Sequence, residues 1–325
     1  MPHVICSHPI HPDAEAAIRA TPGFTVETLS DRSPAGLAAR LPAADALILR
    51  TIRVDETFLS HCPKLRILAR HGVGYDIIDV PALTRRKIPL TITPEANAVS
   101  VAEHALMLML ASMRKLRGYD ANVRGFVWGG QASLPSFELA GKTVLVFGFG
   151  RIGTRVARLC QAFCMRVLVR DPFMPKGTIR GAGYEPVEDL PAAAAEADIV
   201  TLHCPSNAET RGMVDAAFLR GMKRGAVLVN TARGTLVEEA ALAAALSDGQ
   251  LSAAGLDVFE EEPVETPIAL LSAPNLILTP HVAASTQEGL RRMALESAAA
   301  VLGFFAGTLD PDVVVNTEVL GRNAA

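Results

Sequence analysis

A chain of 325 residues, half of them hydrophobic, has the length and apolar content for about two domains with a core in each. Its net charge of −3 leaves no basic surface that would argue for nucleic acid or an anionic membrane. The opening Met1-Pro2-His3-Val4-Ile5-Cys6 lacks the charged-then-apolar order of a signal peptide, and the most apolar stretch, 99–113, is interrupted by Glu103 and His104 and is too short to span a bilayer.

Residues 1–98 read as a small α/β unit. Short apolar strands are expected at 4–6, 24–28, 46–49, 65–69 and 90–93, with helices at 12–20 and 56–61, the first opened by Pro12 and Asp13. Strand–helix alternation of this kind implies a parallel sheet. Gly72-Val73-Gly74 follows the fourth strand without a third glycine opening a long helix. Two glycines there bare backbone N–H groups that can hold a carboxylate, or simply make a tight turn; the residues alone leave both open.

A long helix is expected over 99–117, with Val101, Ala105, Leu108, Met109 and Ser112 facing inward and Met107, Met109 and Met113 in the core. Its apolar character nearly all round points to burial between domains or subunits. The segment 118–141, with Trp128, Gly129, Gly130 and Pro135, reads as an extended arm suited to contact a partner subunit.

The run 143–147 has the composition of a strand buried on both faces. Gly148, Gly150 and Gly153 follow at G-x-G-x-x-G spacing, and 151–163 reads as a helix with Ile152, Val156, Leu159 and Phe163 on one face. In such a turn the first glycine permits the tight bend, the second lets a pyrophosphate approach, and the third lets helix and strand pack. The helix N-terminus offers free N–H groups to the phosphates. A second strand at 166–169 leads to Asp171, about 20 residues beyond the loop, where an acid accepts the hydroxyls of an adenosine ribose. Together these predict a Rossmann-type dinucleotide site.

The alternation continues with helices at 189–197, 215–221 and 236–246 and strands at 198–202, 226–230, 253–258 and 276–278, before a helix from a Ser285 cap to about 305. Ligands of open parallel sheets sit beyond the carboxyl ends of the strands. The polar residues there are His203, Asn230, Thr231, Arg233, Asp257, Glu262 and His281. Arg233 offers a permanent cation with a planar fork for a carboxylate. His281 can exchange a proton near neutrality, and Glu262 can hold the imidazole. An anchor, a proton carrier and an orienter are what alcohol-to-ketone hydride transfer requires. The five cysteines, at 6, 62, 160, 164 and 204, include no C-x-x-C. Cys160 and Cys164, one helical turn apart, read as packed thiols rather than metal ligands, so no metal site and a reduced, cytoplasmic protein are expected.

These motifs resemble the D-isomer-specific 2-hydroxyacid dehydrogenase family over nearly the full length. The segments that carry the resemblance are Gly72 to Asp76, Ser100 to Ala105, Gly148 to Gly153, Asp171-Pro172, Asn230 to Gly234, Gly255 to Phe259 with Glu262-Pro263, and Pro280-His281. The resemblance implies two doubly wound parallel-sheet domains. The larger, NAD-binding Rossmann-type domain (99–286) is inserted in a smaller substrate domain (1–98 plus 287–325). It implies catalysis by Arg233, Glu262 and His281, and substrate binding by Val73, Gly74, Arg233 and His281. It implies NAD contacts from Gly148, Gly150, Arg151, Ile152, Gly153, Asp171, His203, Thr231, Ala232, Asp257, Ala283 and Ala284. A homodimer through the cofactor domain and a small 2-hydroxy or 2-keto acid substrate are further implications, and from chain length no carboxy-terminal regulatory domain is expected. NAD is expected over NADP, because the Asp171 carboxylate opposes a 2′-phosphate; Arg170 is the one residue placed to offset this. Ile77, Ser206-Asn207 and Glu95 depart from the family pattern beside the expected cleft. Arg50, Arg53, Arg70 and His71 either meet an anionic substrate tail or are exposed loop residues. A short-chain dehydrogenase is excluded, since Tyr75, Tyr119 and Tyr184 lack a lysine four places on. The alternative is a non-catalytic NAD-sensing protein on the same fold.

Overall fold

The computed structural model describes residues 1–128 and 134–321. It divides into two compact units, Met1–Asn97 with Ser285–Ala325, and Ala98–Ala284.

In the first unit the chain runs β1 (His3–Cys6), α1 (Pro12–Ala20), β2 (Thr25–Thr28), α2 (Pro34–Arg40), β3 (Ala46–Leu49), α3 (Glu56–Ser60), β4 (Ile67–Arg70), α4 (Val80–Arg85) and β5 (Leu90–Thr91). The strands form a parallel sheet in the order β2-β1-β3-β4-β5. Helices α2 and α4 are additions to the elements expected above. Each begins at a side-chain cap, Ser33 on the Gly36 N–H and Asp79 on the Ala82 N–H, followed by proline in the first turn. They are short, and α2 buries no residue, so apolar periodicity carries no trace of it.

The second unit begins with α5 (Ala98–Met113) and α6 (Leu116–Arg124). The expected helix over 99–117 therefore ends early. Lys115 adopts a left-handed φ of 50° and starts a new helix rather than an extended arm. Gly129 and Gly130 lie outside the described residues. There follow β6 (Thr143–Phe147), α7 (Arg151–Ala162), β7 (Arg166–Arg170), α8 (Lys176–Gly181), β8 (Glu185–Pro186), α9 (Leu190–Glu196), β9 (Ile199–Leu202), α10 (Ala216–Gly221), β10 (Ala226–Asn230), α11 (Glu239–Ser247), β11 (Leu251–Leu256) and β12 (Leu276–Leu278). The seven strands are all parallel, in the order β12-β11-β10-β9-β6-β7-β8. Chain order reverses between β6 and β9, so the ends of these two strands flank the switch point at which such sheets bind ligands.

Both faces of the seven-stranded sheet are covered. On one face α5 and α7 pack Ala105, Leu108 and Met109 with Val156, Ala157 and Cys160 over Val144 and Val146. On the other, α10 and α11 cover Val200, Leu228 and Ala254. Two-sided burial is why the strands read as unbroken apolar runs. The inward set expected on α5 is buried, but Met107 is 44% exposed and Val99 45%. Phe163 caps α7 in an exposed position, and Cys164 is exposed where Cys160 is buried.

The last helix, α12 (Gln287–Ala306), belongs to the first unit and lays Ala294, Ala298 and Val301 on Val4, Ile48 and Ile67 of its sheet. Its N-cap is Thr286, whose hydroxyl accepts from the Gly289 N–H at 3.0 Å, rather than Ser285. Among the described residues no helix is long and apolar enough to cross a membrane.

Candidate active site

The glycine loop joins β6 to α7 at the switch point. Gly148 has φ +94°, and a Cβ there would come within 2.7 Å of the His203 carbonyl. A Cβ on Gly153 would overlap the Gly148 carbonyl, so helix and loop touch backbone to backbone. Gly150, by contrast, faces open space, with nothing within 4 Å of the Cβ position. The chain is thus tight where the turn and the packing need glycine and open where a pyrophosphate approaches. The N-cap of α7 is Gly150, which brings no side chain to the first turn, and a helix N-terminus of this kind suits an anion.

Asp171 sits past the end of β7. Its Oδ2 accepts from the Phe149 N–H at 2.7 Å, and its Oδ1 accepts from the N–H groups of Phe173 and Met174 at 2.8 and 3.1 Å. The carboxylate therefore also braces the glycine loop. Oδ1 is filled by its two N–H donors, and Oδ2 retains a lone pair for a ribose hydroxyl. His203 follows β9, its Nε2 2.9 Å from Thr201 Oγ1, while its buried Nδ1 has no partner among the described residues. Burial pushes this imidazole down to about 3.

Beyond β10, Asn230 builds the turn that presents Arg233. Its side chain accepts from the Ala232 N–H at 3.0 Å and donates to the Arg233 carbonyl at 2.8 Å. Thr231 Oγ1 is buried without a partner among the described residues. Arg233 donates to the Ala232 carbonyl at 2.6 Å. A Cβ on Gly234 would overlap the Phe259 carbonyl, so only glycine lets this turn lie against the loop after β11.

That loop carries Glu262. Its Oε1 accepts from the Phe259 N–H at 2.9 Å and its Oε2 lies 2.5 Å from His281 Nδ1. A carboxylate only accepts, so Nδ1 carries the hydrogen and Nε2 is left to exchange a proton. Burial pushes the Glu262 carboxyl up, but the hydrogen bonds from His281 and Phe259 and the charges of His281 and Arg233 outweigh it and hold the group below the usual range.

Asp257, fully buried at the end of β11, ties down the turn that carries His281. Its Oδ1 accepts from the Thr279 hydroxyl at 2.6 Å and the Val282 N–H at 2.9 Å, and its Oδ2 from the Ala283 N–H at 2.8 Å. Its own carbonyl accepts from the His281 N–H at 2.7 Å. His281 itself is left-handed, with φ 53°. His104 of α5 reaches Thr279 Oγ1 at 2.9 Å. Sequence reasoning passed over His104 and Thr279, because 175 residues separate them and neither stands in a spacing that signals a contact.

In the first unit, Gly72 has φ +137°, and the N–H groups of Val73 and Gly74 meet no acceptor among the described residues. Arg70 does not reach outward as a free loop cation. Its Nε donates to the Gly74 carbonyl at 2.7 Å and its Nη1 to the carbonyls of Leu49 and Arg50. Among the described residues no group of three or more His, Cys, Asp or Glu side chains could hold a metal.

A doubly wound sheet with a glycine-built switch point and a braced acid at the next strand end defines a Rossmann-type dinucleotide-binding protein. Residues 106–283 match the family model described as D-isomer specific 2-hydroxyacid dehydrogenase, NAD binding domain. The chain belongs to the D-isomer specific 2-hydroxyacid dehydrogenase family, and its larger unit is the NAD-binding one. It is 41% identical over 293 residues to D-3-phosphoglycerate dehydrogenase of Mycobacterium leprae, covering 87% of this chain and 54% of that protein. The chain thus spans about half the length of the first curated relatives it matches. It is also 39% identical to glyoxylate reductase of Pyrococcus furiosus, covering 87% of this chain and 86% of that one. Among solved structures, D-lactate dehydrogenase of Aquifex aeolicus complexed with NAD and lactic acid superposes with a TM-score of 0.85 at 28% identity, over 97% of this chain and 99% of that one.

Proposed function

We propose that this chain is an NAD-dependent dehydrogenase that interconverts a small (R)-2-hydroxy acid and its 2-keto acid. Candidate substrates are the 3-phosphoglycerate, glycerate/hydroxypyruvate and glycolate/glyoxylate pairs. The observation that carries the reading is the 2.5 Å hydrogen bond between Glu262 and His281 at the carboxyl ends of β11 and β12.

The Gly148–Gly153 loop and Asp171 would hold NADH, which would supply the hydride that the keto carbon accepts. His281 gives its Nε2 proton to the keto oxygen, while Glu262 holds Nδ1 and stabilises the imidazolium before the transfer. Arg233 grips the substrate carboxylate and polarises the oxygen with its planar fork. The open N–H groups of Val73 and Gly74, in the first unit, are assigned to substrate binding. Thr231, Ala232, Asp257, Ala283 and Ala284 are assigned to the nicotinamide side, and Arg151, Ile152 and His203 to the pyrophosphate and adenosine side. The relatives' names support the choice of substrates, D-3-phosphoglycerate dehydrogenase among one set and glyoxylate reductase among the other.

Within the first unit, the charges of Arg32, Arg50 and Arg70 all bear on His8 and, after burial, push its imidazole down. A cationic surrounding of this kind suits an anionic substrate tail. Turnover of glyoxylate, hydroxypyruvate, phosphohydroxypyruvate and pyruvate with NADH tests the reading; no oxidation of NADH with any of the four rejects it.

We assign a homodimer to the exposed apolar residues Leu116, Val123, Phe126 and Trp128, the last two 90% and 80% exposed. Sedimentation of wild type against V123E/F126E tests this, a monomeric wild type being the contrary result. Five free thiols, four of them buried, support a cytoplasmic assignment.

A further inference from the structure

We propose that His104 is a positioning residue for His281, acting through Thr279 and Asp257. The inference rests on the proton-donor role assigned to His281 above.

The hydrogen count in this cluster has one solution. Thr279 Oγ1 lies 2.6 Å from Asp257 Oδ1, and a carboxylate only accepts, so the single hydroxyl hydrogen goes to Asp257. What Thr279 offers His104 Nε2 at 2.9 Å is a lone pair, and Nε2 must carry a hydrogen. His104 thereby fixes the rotation of the hydroxyl and, with it, the direction of its bond to Asp257. Burial pushes the His104 imidazole down, with Asp257 pulling the other way, and the neutral Nε2–H form results at neutral pH.

The consequence passes along the chain of bonds. Asp257 is wholly buried and takes three hydrogen bonds, from Thr279, Val282 and Ala283, while its carbonyl takes the His281 N–H. Those four contacts pin residues 279–283 and hold His281 at a left-handed φ that a non-glycine residue adopts only under surrounding constraint. His104 supplies the fixed end. It stands on α5, whose Ala105, Leu108 and Met109 are fully buried. A side chain on a rigid helix thus sets the hydroxyl that completes the anchor of the catalytic turn. Losing the His104 donor leaves the Thr279 oxygen short of a partner and weakens, through the shared hydroxyl, its bond to the buried carboxylate, which destabilises that anion and loosens the turn.

The test is steady-state reduction of the best 2-keto acid by NADH, with the solvent deuterium isotope effect on kcat and the melting temperature measured in parallel. H104L and T279V should each lower kcat about 10- to 100-fold with KM for the keto acid nearly unchanged, as misplacement of a reacting group does. The isotope effect should rise, because proton delivery from His281 then limits the rate. The double variant should be no slower than the slower single one, since both act through one hydroxyl. H104Q, whose amide nitrogen can replace the Nε2–H donor, should recover most of kcat. Full activity in H104L, multiplicative losses in the double variant, or H104Q as slow as H104L at an unchanged melting temperature would each overturn the proposal. H281A inactive beside a fully active H104L refutes the coupling alone, whereas an active H281A refutes the proton-donor role beneath it.

Discussion

His281 and Glu262 are 19 residues apart in the chain and joined by a 2.5 Å hydrogen bond from Nδ1 to Oε2. The bond fixes the imidazole tautomer and leaves Nε2 as the working nitrogen. His281→Asn should lower kcat by about 10²- to 10⁴-fold, the usual contribution of general acid–base catalysis, with NADH binding retained. Glu262→Gln should lower it less, since the amide oxygen can still accept from Nδ1 but no longer stabilises the cation. Because Glu262 is held below the usual carboxylate range, it stays ionised through pH 5. A rate profile with an inflection between about pH 5 and 6 that disappears in Glu262→Gln would contradict this placement.

Gly234→Ala should act at a distance of one turn from the chemistry. A Cβ there overlaps the Phe259 carbonyl and crowds the Glu260 N–H. Backbone cannot yield as a side-chain tip can, so the loop from Phe259 to Glu262 must shift. The Phe259 N–H that holds Glu262 Oε1 shifts with it. We expect a loss of about 1–3 kcal/mol in stability and a fall in kcat together. A variant with wild-type melting temperature and turnover would show that the close approach is not needed.

Selectivity for NAD should rest on Asp171. At about 4 Å and an effective dielectric of about 20, a carboxylate opposes a 2′-phosphate by several kcal/mol. The carboxylate also braces the glycine loop through the Phe149 N–H. Asp171→Asn removes the charge but keeps one acceptor oxygen, enough for the Phe149 N–H or for the Phe173 and Met174 N–H groups and not for both. It should narrow the NADH-over-NADPH preference at some cost in NADH turnover, and Asp171→Ala should weaken both cofactors further. A wild-type kcat/KM that favours NADPH would reject the assignment and point to Arg170.

Much of this arrangement is legible in the chain itself, for physical reasons that also mark where legibility stops. The seven-stranded sheet is readable because its strands are buried on both faces and keep an unbroken apolar signal, as Val144 to Phe147 and 226–229 do. Gly148, Gly150 and Gly153 are readable because their spacing answers a steric demand of the backbone. The short, exposed α2 has no apolar stripe to read, and the end of α5 depends on one left-handed lysine, Lys115, that composition does not single out. Asp257 stood out as a polar residue at a strand end, but its partners did not. Its bonds to Thr279, Val282 and Ala283 span more than 20 residues and follow from the adjacency of β11 and β12, which is a property of the sheet. For the same reason Arg70 resembled a ligand-binding cation, although its guanidinium is engaged with main-chain carbonyls.

Acid stability should be governed by two histidines that the fold keeps neutral. Burial, then Arg50 and Arg70, push His71 down to about 4, against hydrogen bonds to main-chain carbonyls that favour the cation. Burial alone pushes His203 down to about 3. In the unfolded chain both titrate near the ordinary value of about 6.5. Between that pH and the folded value, the unfolded state binds a proton that the folded state refuses, so stability rises with pH across the interval. The neutral forms therefore contribute fully above about pH 6.5, and their contribution is lost on acidification toward pH 4 for His71 and pH 3 for His203. For His71, which is 5% exposed, the loss should amount to about 3 kcal/mol at most. Chemical denaturation at pH 7.5, 6 and 5 should show a falling midpoint. His71→Gln and His203→Gln, which cannot take up a proton, should each flatten that slope even where they lower stability at pH 7.5. Parallel pH dependences in wild type and both variants would mean that these imidazoles ionise in the folded protein as they do in water.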